Sequence, residues 1–150
     1  QYKPSRYWQS TFGLQWQSYN QAVFEGKSGV PQVKAWIPYI EALRKFPKRK
    51  SLRVEAQYMF TGQDFGSWAF LLLEYNLAPR WSFSVSDMYN SDPQKTDRIH
   101  YPRVDVVYIR KANRFALSYI KQVEGVVCAG GICRLEPAFS GVRFSFNSTF

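Results

Sequence analysis

The side chains that could carry chemistry in this sequence are two cysteines, a single histidine and scattered carboxylates. Cys128 and Cys133 lie close together in the segment VCAGGICR, and His100 stands directly before Tyr101 and Pro102. Two kinds of chemistry are open to such residues: thiol oxidation or metal binding at the cysteines, and proton transfer at the carboxylates and the imidazole. Neither the cysteines nor the titratable residues lie within a known catalytic sequence motif.

The two glycines between the cysteines supply the positive φ angles of a type I′ turn and so predict a two-residue β-hairpin. Ala129 would face Ile132, and Cys128 would face Cys133 as a close pair with Cα atoms about 4.5 Å apart. That distance lies at the short end of disulfide geometry, so we expect a disulfide here. A free thiol pair is an alternative, and so is a metal site, although the sequence offers it few further ligands.

The candidates for acid and base roles are Glu55, Glu74, Asp87, Asp105 and His100. A simpler interpretation is that carboxylates on one face of a sheet form ion pairs, such as Arg53 with Glu55 or Arg103 with Asp105. His100 precedes a strand and is expected at its rim rather than as a general base. We therefore assign no catalytic residue, cofactor or metal ligand, and we expect no enzymatic activity.

Alternating β-strands are the elements that must position these side chains. Residues 52–61, LRVEAQYMFT, alternate apolar and polar over ten positions without an error, which is typical of a barrel strand. Residues 68–77 and 81–86 follow, the latter with three serines opposite Trp81, Phe83 and Val85. The polar parity of these and later strands predicts a set of residues facing the lumen of a barrel: Arg53, Glu55, Glu74, Arg103, Asp105, Arg114 and Arg143.

The other strands are less regular. The first is predicted over residues 7–24, although its alternation is lost after residue 19, and the second over residues 33–46. Pro38 interrupts the second strand, and because proline cannot donate to a ladder, a bulge or a locally unpaired position is expected there. Two further strands are predicted around residues 103–108 and 115–119, before a closing strand at residues 140–150.

The predicted connections alternate strictly between short and long. KFPKRK, APR and KAN are short, whereas EGKSGVPQ, TGQDFG, NSDPQKTDR and residues 125–137 are longer. An up-and-down barrel in an outer membrane shows the same asymmetry, with tight turns on its periplasmic side and longer loops outside.

Composition and charge argue against two classes of protein, helical membrane proteins and nucleic-acid-binding proteins. The chain of 150 residues is one domain's worth, and its longest apolar run, residues 68–73, is far short of the ~20 needed for a membrane-spanning helix. A net charge of +9 and an aromatic content of 18% first suggest nucleic-acid binding. The charges argue against nucleic acid as a partner, because they either alternate along strands or cluster around Pro47, in a predicted turn.

The closing strand resembles that of bacterial outer-membrane β-barrels. It has apolar residues on one parity and ends on a phenylalanine, and the residues that match the family's assembly signal are Val142, Phe144, Phe146 and Phe150. Ser148 departs from the pattern, since the family more often has an apolar residue there. The resemblance implies a bacterial outer-membrane location, contact with membrane lipid and lipopolysaccharide, and recognition by the barrel-assembly machinery.

Most of the chain from Gln15 onward resembles an uncharacterised family of outer-membrane barrel proteins from Bacteroidota. The matching stretches are SLRVEAQYMFTGQDFGSWAFLLLEYNLAPRWSF, DMYN, IHYPRV and YIKQVEGVVCAGGICRLEPAFSGVRFSFNSTF, with VCAGGICR followed by PAFSG as the most specific part. Members of that family are longer than this chain, which implies that these strands are the carboxyl-terminal part of a larger barrel.

We therefore expect an all-β fold, an antiparallel up-and-down transmembrane β-barrel with about eight strands in this chain. Its expected function is non-enzymatic, as a pore or as a barrel subunit of a larger outer-membrane assembly that includes other subunits. The alternatives are a soluble β-barrel that carries a ligand and, ranked below it, an outer-membrane barrel enzyme.

Overall fold

A computed structural model describes residues 1–24, 26, 28–63, 65–91, 99–123, 125–129 and 132–149, without the side chains of residues 24 and 125–136. These residues form eleven strands and one short helix. The strands are β1 (Tyr2–Ser5), β2 (Trp8–Tyr19), β3 (Val33–Phe46), β4 (Lys50–Met59), β5 (Trp68–Leu77), β6 (Trp81–Asn90), β7 (His100–Arg110), β8 (Asn113–Gln122), β9 (Gly125–Ala129), β10 (Ile132–Glu136) and β11 (Phe139–Ser148). The helix is α1 (Gln21–Phe24).

Nine of the strands form one antiparallel sheet in the order β1-β2-β3-β4-β5-β6-β7-β8-β11, and β9 pairs with β10 in a separate hairpin. Each strand of the large sheet pairs with its neighbour along the chain, except that β11 follows β8 after the hairpin. The expected all-β, up-and-down architecture is therefore confirmed. Among the described residues β11 pairs with β8 alone, so the sheet has two free edges and is not closed into a barrel.

The amino-terminal part of the chain differs from the prediction. The first predicted strand ends at Tyr19 rather than at residue 24, because the chain turns there into α1. Asn20 caps this single helical turn by accepting a hydrogen bond from the Ala22 amide at 2.9 Å. A further strand, β1, lies before the first predicted strand and pairs with it in a hairpin. Its sequence, YKPS, is too short to show an alternation.

The ladder between β3 and β4 is interrupted at Pro38, where a locally unpaired position was expected. The pairing runs from Phe46 to Tyr39, opposite Gln57, and stops there. It resumes in the same register with an isolated bridge between Trp36 and Phe60. Because no residue is inserted, the missing proline donor is accommodated without a bulge.

The connections keep their predicted asymmetry. At one end of the sheet, tight turns join β1 to β2, β3 to β4, β5 to β6 and β7 to β8, and longer segments join the strands at the other end. Lys48, Arg49 and Lys111 have positive φ angles of 61°, 56° and 55° in two of the tight turns. We call these two ends the short-turn end and the long-loop end.

Side chains alternate between an apolar face and a polar face of the sheet. One row of the apolar face, across six neighbouring strands, consists of Val54, Leu73, Val85, Val104, Tyr119 and Val142. This face is open, since Leu71 is 55%, Leu117 51% and Val142 67% exposed. On the polar face, by contrast, Ala116 and Ile120 of β8 are 8% and 4% exposed.

Gly13 of β2 lies directly opposite Tyr39 of β3 on the polar face. A Cβ atom added to Gly13 would lie 2.1 Å from a ring carbon of Tyr39. The tyrosine ring therefore fills the space above the glycine, and this close approach explains why the position has no side chain.

No helix among the described residues combines the length and the hydropathy that crossing a membrane requires.

Candidate functional site

The most extended arrangement of polar side chains is a row that crosses six strands of the polar face. Cross-strand register places Arg53 opposite Glu74, then Ser84, Asp105, Ser118 and Arg143 in turn. We call these six residues the polar row; Arg143, its last member, lies on a sixth strand, β11. Two clusters of hydrogen bonds include the first five residues of the row.

Arg53 is the centre of the first cluster. Its Nε atom donates to Glu41 Oε2 at 2.7 Å, and its Nη1 atom lies 3.5 Å from Glu74 Oε2. Its Nη2 atom contacts Glu55, the partner suggested by the sequence. The second oxygens of Glu55 and Glu74 accept hydrogen bonds from neighbouring side-chain amides. One guanidinium thus contacts carboxylates from three strands.

Asp105 is the centre of the second cluster. Arg103 donates to both of its carboxylate oxygens, at 2.8 and 2.9 Å, in the bidentate geometry of strong ion pairs. Ser118 donates to Oδ1 at 2.6 Å, and Ser84 donates to Oδ2 at 3.3 Å. One of the three serines of β6 therefore has a defined partner on this face.

Arg114 and Arg143 share the polar face but belong to neither cluster. Both are exposed, and no carboxylate pairs with either one within the described part of the chain. The guanidinium of Arg143 lies 6.0 Å from the ring of Phe139. Of the seven residues predicted to face a lumen, five are thus brought into the two clusters and two are not.

Asp87 and His100 do not join the other titratable residues. Both were candidates for acid and base roles together with Glu55, Glu74 and Asp105. The register places Asp87 and His100 on the apolar face, so the five residues cannot form one acid–base site. His100 Nδ1 lies 2.5 Å from Asp87 Oδ2. His100 is the first residue of β7 and its side chain is 64% exposed, which agrees with the expected rim position.

Aromatic side chains flank the apolar face at both of its ends. Near the short-turn end, Trp81 lies 4.6 Å from Tyr108, Tyr108 lies 6.3 Å from Phe115, and Phe115 lies 4.9 Å from Phe146, measured between ring centroids. Near the long-loop end, Trp16 and Trp36 are 6.4 Å apart.

The two aromatic borders are eight residues apart on both β2 and β6. About 26 Å lies between Trp8 and Trp16 of β2, at roughly 3.3 Å per residue. Trp81 and Tyr89 of β6 are separated by the same length. Between the borders, the row through Val85 is aliphatic except for Tyr119.

The closing strand places three of the four predicted assembly-signal residues on the apolar face. Val142, Phe144 and Phe146 are exposed there, and the strand itself is a free edge. Phe150 lies outside the described residues.

The cysteine hairpin has the predicted backbone register, with Cys128 opposite Cys133 and Ala129 opposite Ile132. The side chains of this hairpin lie outside the described residues, so the disulfide stays a prediction. Within the described residues, no three His, Cys, Asp or Glu side chains are placed to hold a metal ion.

Sequence reasoning missed Glu41 and Ser118, which complete the two clusters. Glu41 was identifiable from the alternation of the residues that follow Pro38, because it has the same parity as Tyr39. Ser118 alternates with Leu117 and Tyr119 and was identifiable as a polar-face residue. Its contact with Asp105 required the register between β7 and β8.

Comparison with known proteins gives a family but no activity. A model of the family of unknown function DUF6029 matches residues 1–150. No curated protein matches the chain, and no solved structure does.

Proposed function

The chain belongs to the DUF6029 family, and we propose that it forms part of the wall of a bacterial outer-membrane β-barrel. In this proposal the protein is a pore, or a barrel subunit of a larger outer-membrane assembly, and carries out no catalysis. The apolar face contacts lipid and lipopolysaccharide, and the polar face lines the interior.

The exposure of the apolar face is the observation that carries the proposal. Rows of aliphatic and aromatic side chains run across six strands with no second layer of described residues over them. Soluble monomers seldom expose an apolar surface of such extent, because each buried square ångström would contribute about 25 cal/mol. In a bilayer the same surface is solvated by acyl chains.

The aromatic borders support the same environment. An outer-membrane barrel has an apolar band about 25 Å tall between two girdles of aromatic residues. Because barrel strands tilt by about 35–45°, the roughly 26 Å of strand between Trp81 and Tyr89 spans about 19–22 Å of that height, so both rings lie near the edges of such a band.

The free edges support membership of a larger barrel. Hydrocarbon does not tolerate unpaired backbone groups, so every strand of a membrane-spanning sheet needs two neighbours. β11 has one neighbour among the described residues, and β1 covers only the part of β2 next to the short-turn end. We therefore propose that further strands close the barrel, as the resemblance to longer Bacteroidota proteins also implies.

Membrane association is tested by producing the protein from its complete gene, with an outer-membrane export signal, in a bacterial host, so that any further strands are present. We expect it in the outer-membrane fraction, resistant to carbonate extraction, and we expect its electrophoretic mobility to change on boiling when folded. A chain that is folded and monodisperse in detergent-free buffer would contradict the proposal. That result would favour a soluble β-barrel that carries a ligand.

A further inference from the structure

Asp87 and His100 form a polar pair on the apolar face, near the long-loop end. Asp87 lies between Leu71 of β5 and Pro102 of β7 in the register, and His100 lies opposite Tyr89. The imidazole stacks on the ring of Tyr89, with centroids 4.5 Å apart and planes 24° apart. Side chains of two strands thus hold the histidine in one orientation.

One carboxylate oxygen of Asp87 has no partner. Oδ2 contacts His100, whereas Oδ1 is buried and accepts no hydrogen bond from the part of the chain that the structure describes. A buried acceptor without a donor is destabilising, and a charged group within a membrane-facing surface is costly and marks a functional site by default. The side chain as a whole is 37% exposed, so a cationic ligand can approach the carboxylate and offset this cost.

The pair borders a depression of about 620 Å³ in the apolar face. Its apolar lining includes Pro38, Ile40 and Leu71, and two alanines, Ala56 and Ala69, provide the space because their side chains are small. An elongated apolar group therefore fits beside a single carboxylate.

We propose that this depression binds an amphiphile with a primary ammonium head group, which pairs with the exposed side of the Asp87 carboxylate while an acyl chain lies over Ile40, Ala56 and Leu71. Charge complementarity selects the ammonium, since a hydrogen bond between two charged groups is stronger than one from a neutral hydroxyl. The inference rests on the proposed function, because the acyl chain reaches the site from the surrounding lipid.

His100 is the only histidine of the chain and gives the experiment a single reporter. The chain is labelled with ¹⁵N-histidine, folded in phosphocholine detergent micelles, and titrated with a short-chain phosphatidylethanolamine. We expect a saturable shift of the imidazole nitrogens. Phosphatidylcholine, whose quaternary ammonium has no N–H, should produce no saturable shift.

Glycerophosphoethanolamine distinguishes a lipid from its free head group. It has the same ammonium without acyl chains, and we expect it to bind at least about tenfold more weakly, because it buries no apolar surface in the depression. Equal binding by this compound would overturn the amphiphile as the ligand.

Two variants test the two halves of the site. Asp87→Asn should weaken binding about tenfold or more, as expected for the loss of one charge-assisted hydrogen bond. Ala56→Phe should abolish binding by filling the depression while leaving the carboxylate in place. Ser86→Ala is the matched control, since Ser86 is next to Asp87 in the chain but on the polar face.

The outcomes separate this inference from the proposed function. A chain that is folded in the micelles and shows no saturable shift, or the same shift with phosphatidylcholine, overturns the inference alone. A chain that is folded and monodisperse without detergent overturns the proposed function and this inference with it. If Asp87→Asn does not fold, unchanged binding by Ala56→Phe would still contradict the site.

Discussion

Arg53 shows how single residues stabilise the polar face. Glu41 and Glu55 lie directly opposite each other on β3 and β4, and like charges in that position repel. The guanidinium contacts both carboxylates and reaches Glu74 on the third strand. Removing it would leave three negative charges on adjacent strands without a cation between them.

We therefore expect Arg53→Leu to lower the free energy of unfolding by about 1 to 3 kcal/mol, less than for a fully buried pair because the side chain is 31% exposed. Arg114→Leu is the control, since that arginine has no described carboxylate partner. Urea titration of the chain in lipid vesicles measures both. Equal losses in the two variants would show that the cluster contributes nothing specific.

Gly13 and Tyr39 give a second prediction at this scale. Gly13→Ala should destabilise the sheet by about 1 to 3 kcal/mol, the usual cost of overpacking, because the new methyl group meets the tyrosine ring. In the background of Tyr39→Ala the same substitution should cost much less. Gly62→Ala is a control, since an added Cβ there has nothing within 4 Å. Additive effects of Gly13→Ala and Tyr39→Ala would contradict the contact.

The extent to which the sequence predicts the fold differs from one element to the next. The residues of β3 were predicted as a strand with the observed bounds, and β4 alternates without an error. α1 was missed because only four residues form it. The clusters could not be predicted as such, since which residues face one another depends on the register set by turns such as those at Lys48 and Lys111.

The two faces of β6 make a matched pair of substitutions possible. Val85→Arg places a charge on the apolar face and should destabilise the protein by ~2 to 4 kcal/mol if that face meets lipid near mid-membrane. Ser84→Arg, one residue away at the same depth, projects onto the polar face beside Asp105 and should cost much less. We expect Leu71 and Leu117 to behave as Val85 does, and Gln57 as Ser84 does. Equal costs on both faces in a folding titration would contradict a lipid-facing surface.

The β9–β10 hairpin carries the disulfide prediction. With Cys128 opposite Cys133, oxidation would close a loop of only a few residues, so its contribution to stability should not exceed ~2 to 3 kcal/mol. Its expected role is to fix the shape of the hairpin. Mass spectrometry of unreduced protein from the cell envelope should find no alkylatable thiol. Two free thiols would exclude the bond.

At the scale of the whole molecule, the free edges determine how the sheet can exist in a membrane. A narrow eight-stranded barrel would fill its interior with side chains, and the clustered charges of the polar face could pack there. The sheet nevertheless ends at β11 on one side and at β1 and β2 on the other. We therefore predict that additional strands lie between these edges in the membrane.

Spin labels test this directly. Labels at Gln15 of β2 and Ser145 of β11 should be much farther apart than the roughly 5 Å between paired strands, when the distance is measured by pulsed electron resonance in vesicles. A control pair at Gln15 and Ile37, which are opposite each other in the register, should give a short distance. A short distance for the first pair would show that this chain closes by itself.

The spacing of the aromatic borders has a consequence for where the protein can reside. If the apolar face meets lipid as proposed, Trp8 and Trp16 mark two depths separated by about 26 Å of strand, because indole rings prefer the level of the lipid head groups. A bilayer whose hydrocarbon layer is thicker than this spacing must thin around the protein, or the strands must tilt less, and either adjustment costs free energy for each ångström of mismatch. The aromatic spacing would therefore make the location of this protein depend on membrane thickness. A thin membrane would retain the protein, and a thick, sterol-rich one would exclude it.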